Sequence, residues 1–157
     1  MTKLTQGQTE IKADSVIKVI GFDLDDTLWD VAPVIRSAEK TLSNWVISRF
    51  PQVKYGELQI KRARKKILEE DPAIGFQFTR MRKAILKEIF EASLKDPLTA
   101  EKLSQEGVEI FIKARSEVDL YPGVEQTLKE LAQNYELGII TNGNADITKL
   151  RISKYFS

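Results

Sequence analysis

Val16-Ile17-Lys18-Val19-Ile20-Gly21-Phe22-Asp23-Leu24-Asp25-Asp26-Thr27-Leu28 decides how the rest of the chain is read. Its first half is short, apolar and β-branched, which predicts a buried parallel strand ending near Asp23. Its second half crowds Asp23, Asp25 and Asp26 behind that strand. In open α/β sheets, ligands bind beyond the carboxyl ends of the strands. Neighbouring carboxylates repel one another and are costly without a cation. Oxygen ligands favour a hard metal, and magnesium, which keeps waters or substrate phosphate, suits them best. Asp23 and Asp25 are two positions apart, so an extended backbone puts both on one side. One carboxylate can then attack phosphorus while the other handles a proton.

Downstream of the acids the pattern turns helical. Pro33 predicts a helix opening beside it, with Ile35, Ala38, Leu42, Trp45 and Val46 at helical spacing and Pro51 as its stop. A second helix is expected over Glu57 to Glu70, closed by Pro72. A third runs from about Gln77 to Leu94, with Phe78, Met81, Ile85 and Ile89 along one stripe. A fourth starts after Thr99, read as an N-cap, and reaches about Val118. Tyr121-Pro122-Gly123-Val124 turns the chain into a helix bearing Val124, Leu128 and Leu131. Glu136 to Thr141 reads as a second short buried strand, Asn142-Gly143-Asn144 as a turn, and Ala145 to Tyr155 as a last helix.

Two strands joined through helices predict a right-handed parallel crossover. Residues 31–120 are too long for a simple crossover, so a helical subdomain is expected to be inserted after the first strand. The expected fold class is therefore α/β. Its core comprises residues 15–30 and 121–157, and residues 1–14 form a flexible N-terminal tail. At the end of the second strand, the Thr141 hydroxyl and the backbone N–H groups around Asn142 can hold phosphate oxygens. A helix starting near Ala145 would add its positive end to the same corner.

Composition narrows the chemistry. There is no cysteine and no histidine, which removes thiolate nucleophiles, Ser-His-Asp triads and His-ligated zinc. A net charge of +1 offers no field for nucleic acid or a membrane surface. No apolar run approaches the ~20 residues of a membrane span, and no signal-peptide pattern opens the chain. A cytoplasmic location is the expectation.

Phe22-Asp23-Leu24-Asp25-Asp26-Thr27-Leu28 resembles the first motif of the haloacid dehalogenase (HAD) superfamily, an apolar strand ending in Asp-x-Asp-x-Thr. Leu137 to Asn142 is similar to the second motif, an apolar strand ending in Thr or Ser. The helical block matches the family's type-1 cap in place and size, and Tyr121-Pro122-Gly123-Val124 resembles the segment that re-enters the core. The resemblance implies a partial Rossmann-like parallel core and a magnesium-dependent phosphatase acting through an aspartyl-phosphate. Asp23 would be nucleophile and magnesium ligand. Asp25 would be general acid/base, with its backbone carbonyl on the metal. Thr141 would bind the transferring phosphoryl group, and Thr27 would position Asp25. Family members that release halide lack an acid at the position of Asp25, so phosphoryl chemistry is favoured, with phosphomutases as an alternative. The wording of both motifs is similar to bacterial phosphatases of small metabolites, among them a group acting on the ribitylamino-uracil intermediate of riboflavin synthesis.

The family's later Lys and its acidic pair are not found after Thr141, and an open sheet normally has about five or six strands. The chain therefore reads as part of a longer protein with little turnover alone, or as a non-catalytic remnant serving as a binding module. Lys61 to Lys66 reads as a solvated helix face balanced by Glu57, Glu69, Glu70 and Asp71. Arg80 and Arg82 lie in the expected cap, where they could meet an anionic substrate group. Trp45 and the cap phenylalanines read as core, and Trp29 is left without a role.

Overall fold

The computed structural model describes residues 17–157, so the expected N-terminal tail and Val16 lie outside the described residues. Two strands, β1 (Val19–Phe22) and β2 (Glu136–Ile139), pair in parallel with Val19 opposite Glu136 and Phe22 opposite Ile139. Between them come α1 (Val31–Arg49), α2 (Glu57–Glu70), α3 (Phe78–Leu94), α4 (Pro97–Arg115) and α5 (Val124–Leu131). The fold is helix-rich α/β.

Helices α3 and α4, α1 and α4, and α2 and α3 pack as pairs. Their buried side chains form one cluster, with Leu42, Val46, Leu86, Phe90 and Phe111 at its centre. Trp45, Phe50 and Phe90 meet edge-on, with ring centroids 5.5–6.1 Å apart, the arrangement favoured by the ring quadrupole. Gly107 lets α4 approach closely, because a Cβ there would lie 2.9 Å from a Leu86 methyl and 3.2 Å from the Trp45 ring. A second cluster joins Leu24, Leu28, Trp29, Val34, Leu128, Leu137, Leu150 and Ile152. The change of cluster falls inside α1, between Val34 and Ala38.

Several local expectations give way to better caps. Asp30, not Pro33, starts α1, its carboxylate accepting the Ala32 N–H at 2.9 Å. Asp96, not Thr99, caps α4, accepting from Leu98 and Thr99 N–H at 3.1 and 3.2 Å, with Pro97 in the first turn. An aspartate two or three residues before a free amide satisfies an orphan donor that the later residue cannot reach. The helix expected over Ala145 to Tyr155 does not form. Two short 3₁₀ turns, Ile147–Lys149 and Ser153–Tyr155, replace it. Leu150 and Ile152 are buried on the second cluster, and the Ser157 N–H donates to the Leu137 carbonyl at 3.0 Å. Those anchors draw the chain back along β2, so no helix end supplies positive charge beside Thr141.

The strands are also barer than expected. Ile17, Val19 and Ile140 are 67%, 55% and 75% exposed. Among the described residues the sheet has two strands, so β1 and β2 each have one paired edge.

Candidate active site

The site is assembled where β1 and β2 end side by side. Phe22 lies opposite Ile139, and the Ile140 N–H donates to the Phe22 carbonyl at 2.8 Å. Asp23 and Thr141 therefore leave the same end of adjacent strands. Asp23 is exposed, and its Oδ1 accepts the Leu24 N–H at 2.7 Å. Asp26 takes a left-handed backbone (φ 58°) and turns its carboxylate to the Val31 N–H at 3.0 Å, at the mouth of α1. The chain after Asp23 is thus a tight loop, not an extended strand continuing to Asp25.

Asp25 is held from two sides. Its Oδ1 accepts the indole N–H of Trp29 at 3.0 Å, and its Oδ2 pairs with the guanidinium Nη2 of Arg115. Trp29 and Arg115 are both buried. Arg115 also donates from Nε to the Asn144 side-chain oxygen at 2.9 Å, and Asn144 Nδ2 donates to the Thr79 hydroxyl at 3.2 Å.

Gly143 is where the two motif loops touch. A Cβ there would lie 2.5 Å from Asp25 Oδ2, 3.3 Å from Arg115 Nη2 and 3.3 Å from Thr141 Oγ1. Only a residue without a side chain admits the Asp25 carboxylate at that distance. The Gly143 N–H donates to Thr141 Oγ1 at 3.1 Å, fixing the threonine at the head of the turn. The two loops thus bring the Asp25 carboxylate and the Thr141 hydroxyl close to a single glycine.

The remaining candidates are placed less tightly. Asn142 and Thr27 are exposed, and neither side chain makes a hydrogen bond among the described residues. Trp29 and Arg115 hold Asp25 in the way that the resemblance implied for Thr27. Arg80 donates to the Gln77 side chain at 2.6 Å and follows Thr79, the α3 residue that reaches Asn144. Arg82 is committed to Glu39 at 2.8 Å and stacks 3.4 Å from the Phe111 ring centre.

Arg115, Asn144 and Trp29 were missed by reasoning from sequence. Arg115 had a usable signal: it continues the buried α4 face of Ala100, Ser104, Val108 and Phe111, where a charge needs a partner. Asn144 read as an ordinary turn residue.

The magnesium expectation meets a partial donor set. Among the described residues no three carboxylates gather into a metal-binding group. The Asp25 carboxylate is engaged at both oxygens and Asp26 turns to α1, which leaves the exposed Asp23 carboxylate as the open side-chain ligand of the motif, beside the expected backbone carbonyl of Asp25. The crowding of acids that argued for a metal is answered at Asp25 by a buried arginine.

Among the described residues, no helix is long and apolar enough to cross a membrane. The chain is 34% identical over 144 residues to the 5-amino-6-(5-phospho-D-ribitylamino)uracil phosphatase YigB of Escherichia coli (strain K12), an overlap covering 89% of this chain and 59% of that protein. The crystal structure of a 2-haloacid dehalogenase from Pseudomonas syringae pv. Tomato DC3000 matches with a TM-score of 0.83 at 37% identity, over 90% of this chain and 62% of that one. The chain thus spans about three-fifths of the length of these two relatives. The family described as haloacid dehalogenase-like hydrolase matches residues 17–157, a span that takes in both motif loops and the helices between them. With parallel strands delivering Asp23 and Thr141 to one end of the sheet, and with that match across every described residue, the chain belongs to the haloacid dehalogenase-like hydrolase family.

Proposed function

We propose that this chain carries the nucleophile half of a phosphomonoester hydrolase acting on a small phosphorylated metabolite. The observation that carries the reading is the approach of Asp25 and Thr141 to one glycine, Gly143, at the end of the sheet from which the open Asp23 also leaves. An Asp23 oxygen attacks phosphorus, the phosphorus–oxygen ester bond breaks, and Asp25 gives its proton to the leaving oxygen. Asp25 then takes a proton from water, whose oxygen attacks phosphorus and releases Asp23 and inorganic phosphate. The two donors on Asp25 leave lone pairs free for that proton, since a carboxylate has about four acceptor sites. Thr141 and the amides of its turn are suited to the phosphoryl oxygens, with the exposed Asn142 and Arg80 as secondary candidates. We place the helical block, residues 31–120, as a cap over the core. Magnesium bound at Asp23 would offset charge on the phosphate.

Similarity to the Escherichia coli phosphatase makes a phosphorylated ribitylamino-uracil the first substrate to try. The Pseudomonas syringae structure carries a dehalogenase name, which supports a second reading, removal of halide from a 2-haloacid. Asp25 weighs against it, because a departing halide needs no proton and the structure fixes Asp25 with two donors.

The test uses the 157-residue chain with magnesium and p-nitrophenyl phosphate. A phosphoryl group on Asp23 is expected by mass spectrometry, and Asp23→Asn abolishes it. Asp25→Asn slows release of inorganic phosphate by roughly 10²–10⁴-fold. The adduct then accumulates, because nitrophenolate leaves readily without a proton while water still needs a base. Turnover is expected to be slow, since one open carboxylate is a weak magnesium site. Halide release from 2-chloropropionate with no phosphoryl adduct would overturn the proposal in favour of the second reading.

A further inference from the structure

Arg115 is the last residue of α4, is 1% exposed, and lies on the buried face of that helix. A buried guanidinium is costly unless its donors are used. Two of its nitrogens are paired, Nη2 with Asp25 and Nε with Asn144 at 2.9 Å, while Nη1 is buried without a partner among the described residues. From Asn144 the chain of hydrogen bonds continues to Thr79 in the first turn of α3, at 3.2 Å. On the far side of Asp25 it ends at the Trp29 indole, 3.0 Å away and fully buried. Thr79, Asn144, Arg115, Asp25 and Trp29 thus form one continuous network. It starts on a cap helix, crosses the loop after β2, and finishes on the loop after β1.

We propose that Arg115 is the positioning residue of Asp25, and that Asn144 and Thr79 extend its hold into the cap, so that the seating of α3 on the loop after β2 sets the orientation of the acid. The part concerning proton transfer rests on the phosphatase reading above. The part concerning orientation does not. With Oδ1 and Oδ2 each held by a different donor, the Asp25 side chain has one position to adopt. Arg115 uses two adjacent edges of its planar fork at once, which a lysine ammonium cannot reproduce with the same geometry. A cap helix that shifts by a fraction of an ångström would be felt at Asp25 without touching it.

The two tryptophans of the chain make the test direct. The Trp29 indole N–H is bonded to Asp25, whereas the Trp45 indole N–H is buried in the helical block with no partner among the described residues. Their indole signals in a ¹H–¹⁵N correlation spectrum of the 157-residue chain give a reporter and an internal reference. Arg115→Lys and Asn144→Ala are expected to move the Trp29 signal and leave that of Trp45 in place, with circular dichroism confirming the fold. Thr79→Ala, an exposed and mild change, moves Trp29 less and in the same direction as Asn144→Ala. Should Arg115→Lys not fold, Asn144→Ala and Thr79→Ala carry the test alone. On p-nitrophenyl phosphate, folded variants lose about 10- to 100-fold in kcat, as expected for a misplaced acid, with KM little changed. A Trp29 signal that stays put in the folded variants overturns the proposal, even where Asp23 is still phosphorylated. If Asp23 is never phosphorylated but the Trp29 signal moves, the phosphatase reading fails and the positioning role stands.

Discussion

The helical block and the two-stranded core bury their apolar residues to different degrees. In the block, α1, α2, α3 and α4 surround Leu42, Val46, Leu86, Phe90 and Phe111, and an edge-to-face aromatic trio closes one end. In the core, α5 and the segment after β2 cover Leu137 and Trp29, while Val19 and Ile140 stand more than half exposed. The residues of the candidate site belong to the thinner region, at its strand ends. Local stability follows buried apolar contact, so the helical block is a scaffold in its own right. The strand ends gain their order from polar links into it, chiefly Arg115 and Asn144.

The largest effect should come from deepening this contrast. Phe90 is 1% exposed and touches both Trp45 and Phe50. Phe90→Ala is expected to cost ~3–5 kcal/mol in urea unfolding, as a fully buried ring replaced by a methyl leaves a cavity. In the unaltered chain, hydrogen exchange should be slowest at amides of α3 and α4 and faster at those of β1 and β2. Equal protection of both regions would break the comparison, since it would make the sheet as well supported as the helices.

A smaller effect is expected at the joint between the regions. Asp30 caps α1 through the Ala32 N–H, directly after the loop that holds Asp25. Asp30→Ala should cost ~1 kcal/mol, typical of a lost N-cap. If its cost is shared by both regions, thermal melts followed at the Trp29 and Trp45 indole signals should fall together. A fall at Trp45 alone would show the joint to be uncoupled.

Much of this architecture was legible in the sequence because the signals were local. Glu57 to Glu70 was read as a helix and forms one, with Gly56 and Asp71 at its ends. The two apolar strands were found because their runs are short, β-branched and bounded by turn residues, and their pairing is parallel as expected. The helix caps at Asp30 and Asp96 were misjudged by two or three residues, since Pro33 favours a first helical turn and Thr99 is itself a capping residue type. The segment after Ala145 failed for a different reason. Its helical spacing was real, but Leu150, Ile152 and the Ser157 amide are claimed by β2 and the core, a tertiary demand that outweighs propensity. The Asp25–Arg115 pair was out of reach of spacing arguments altogether, because it joins residues that only the folded chain brings together.

The smallest effect sharpens the account of the helical block. Glu101 on α4 accepts from Lys83 at 2.8 Å and Lys87 at 2.9 Å, both on α3. Hydrogen bonds from Lys83 and then Lys87 pull its carboxyl from an ordinary 4.5 down to about 2. A carboxyl lowered on folding stabilises the fold above its unfolded value, and that benefit is lost as the pH falls through its folded value. The link is exposed to water, which screens it, so the gain is small. Removing Glu101 also leaves Lys83 and Lys87 facing each other one helical turn apart, a like-charge pair that is mildly unfavourable. Glu101→Gln should therefore lower the melting temperature slightly at neutral pH. The gap to the unaltered chain should narrow between about pH 4.5 and 2 and shrink in high salt. A gap that stayed constant through that acid range would mean that α3 and α4 are held by their apolar faces alone, which would widen the contrast with the strand ends, where charge does the fastening.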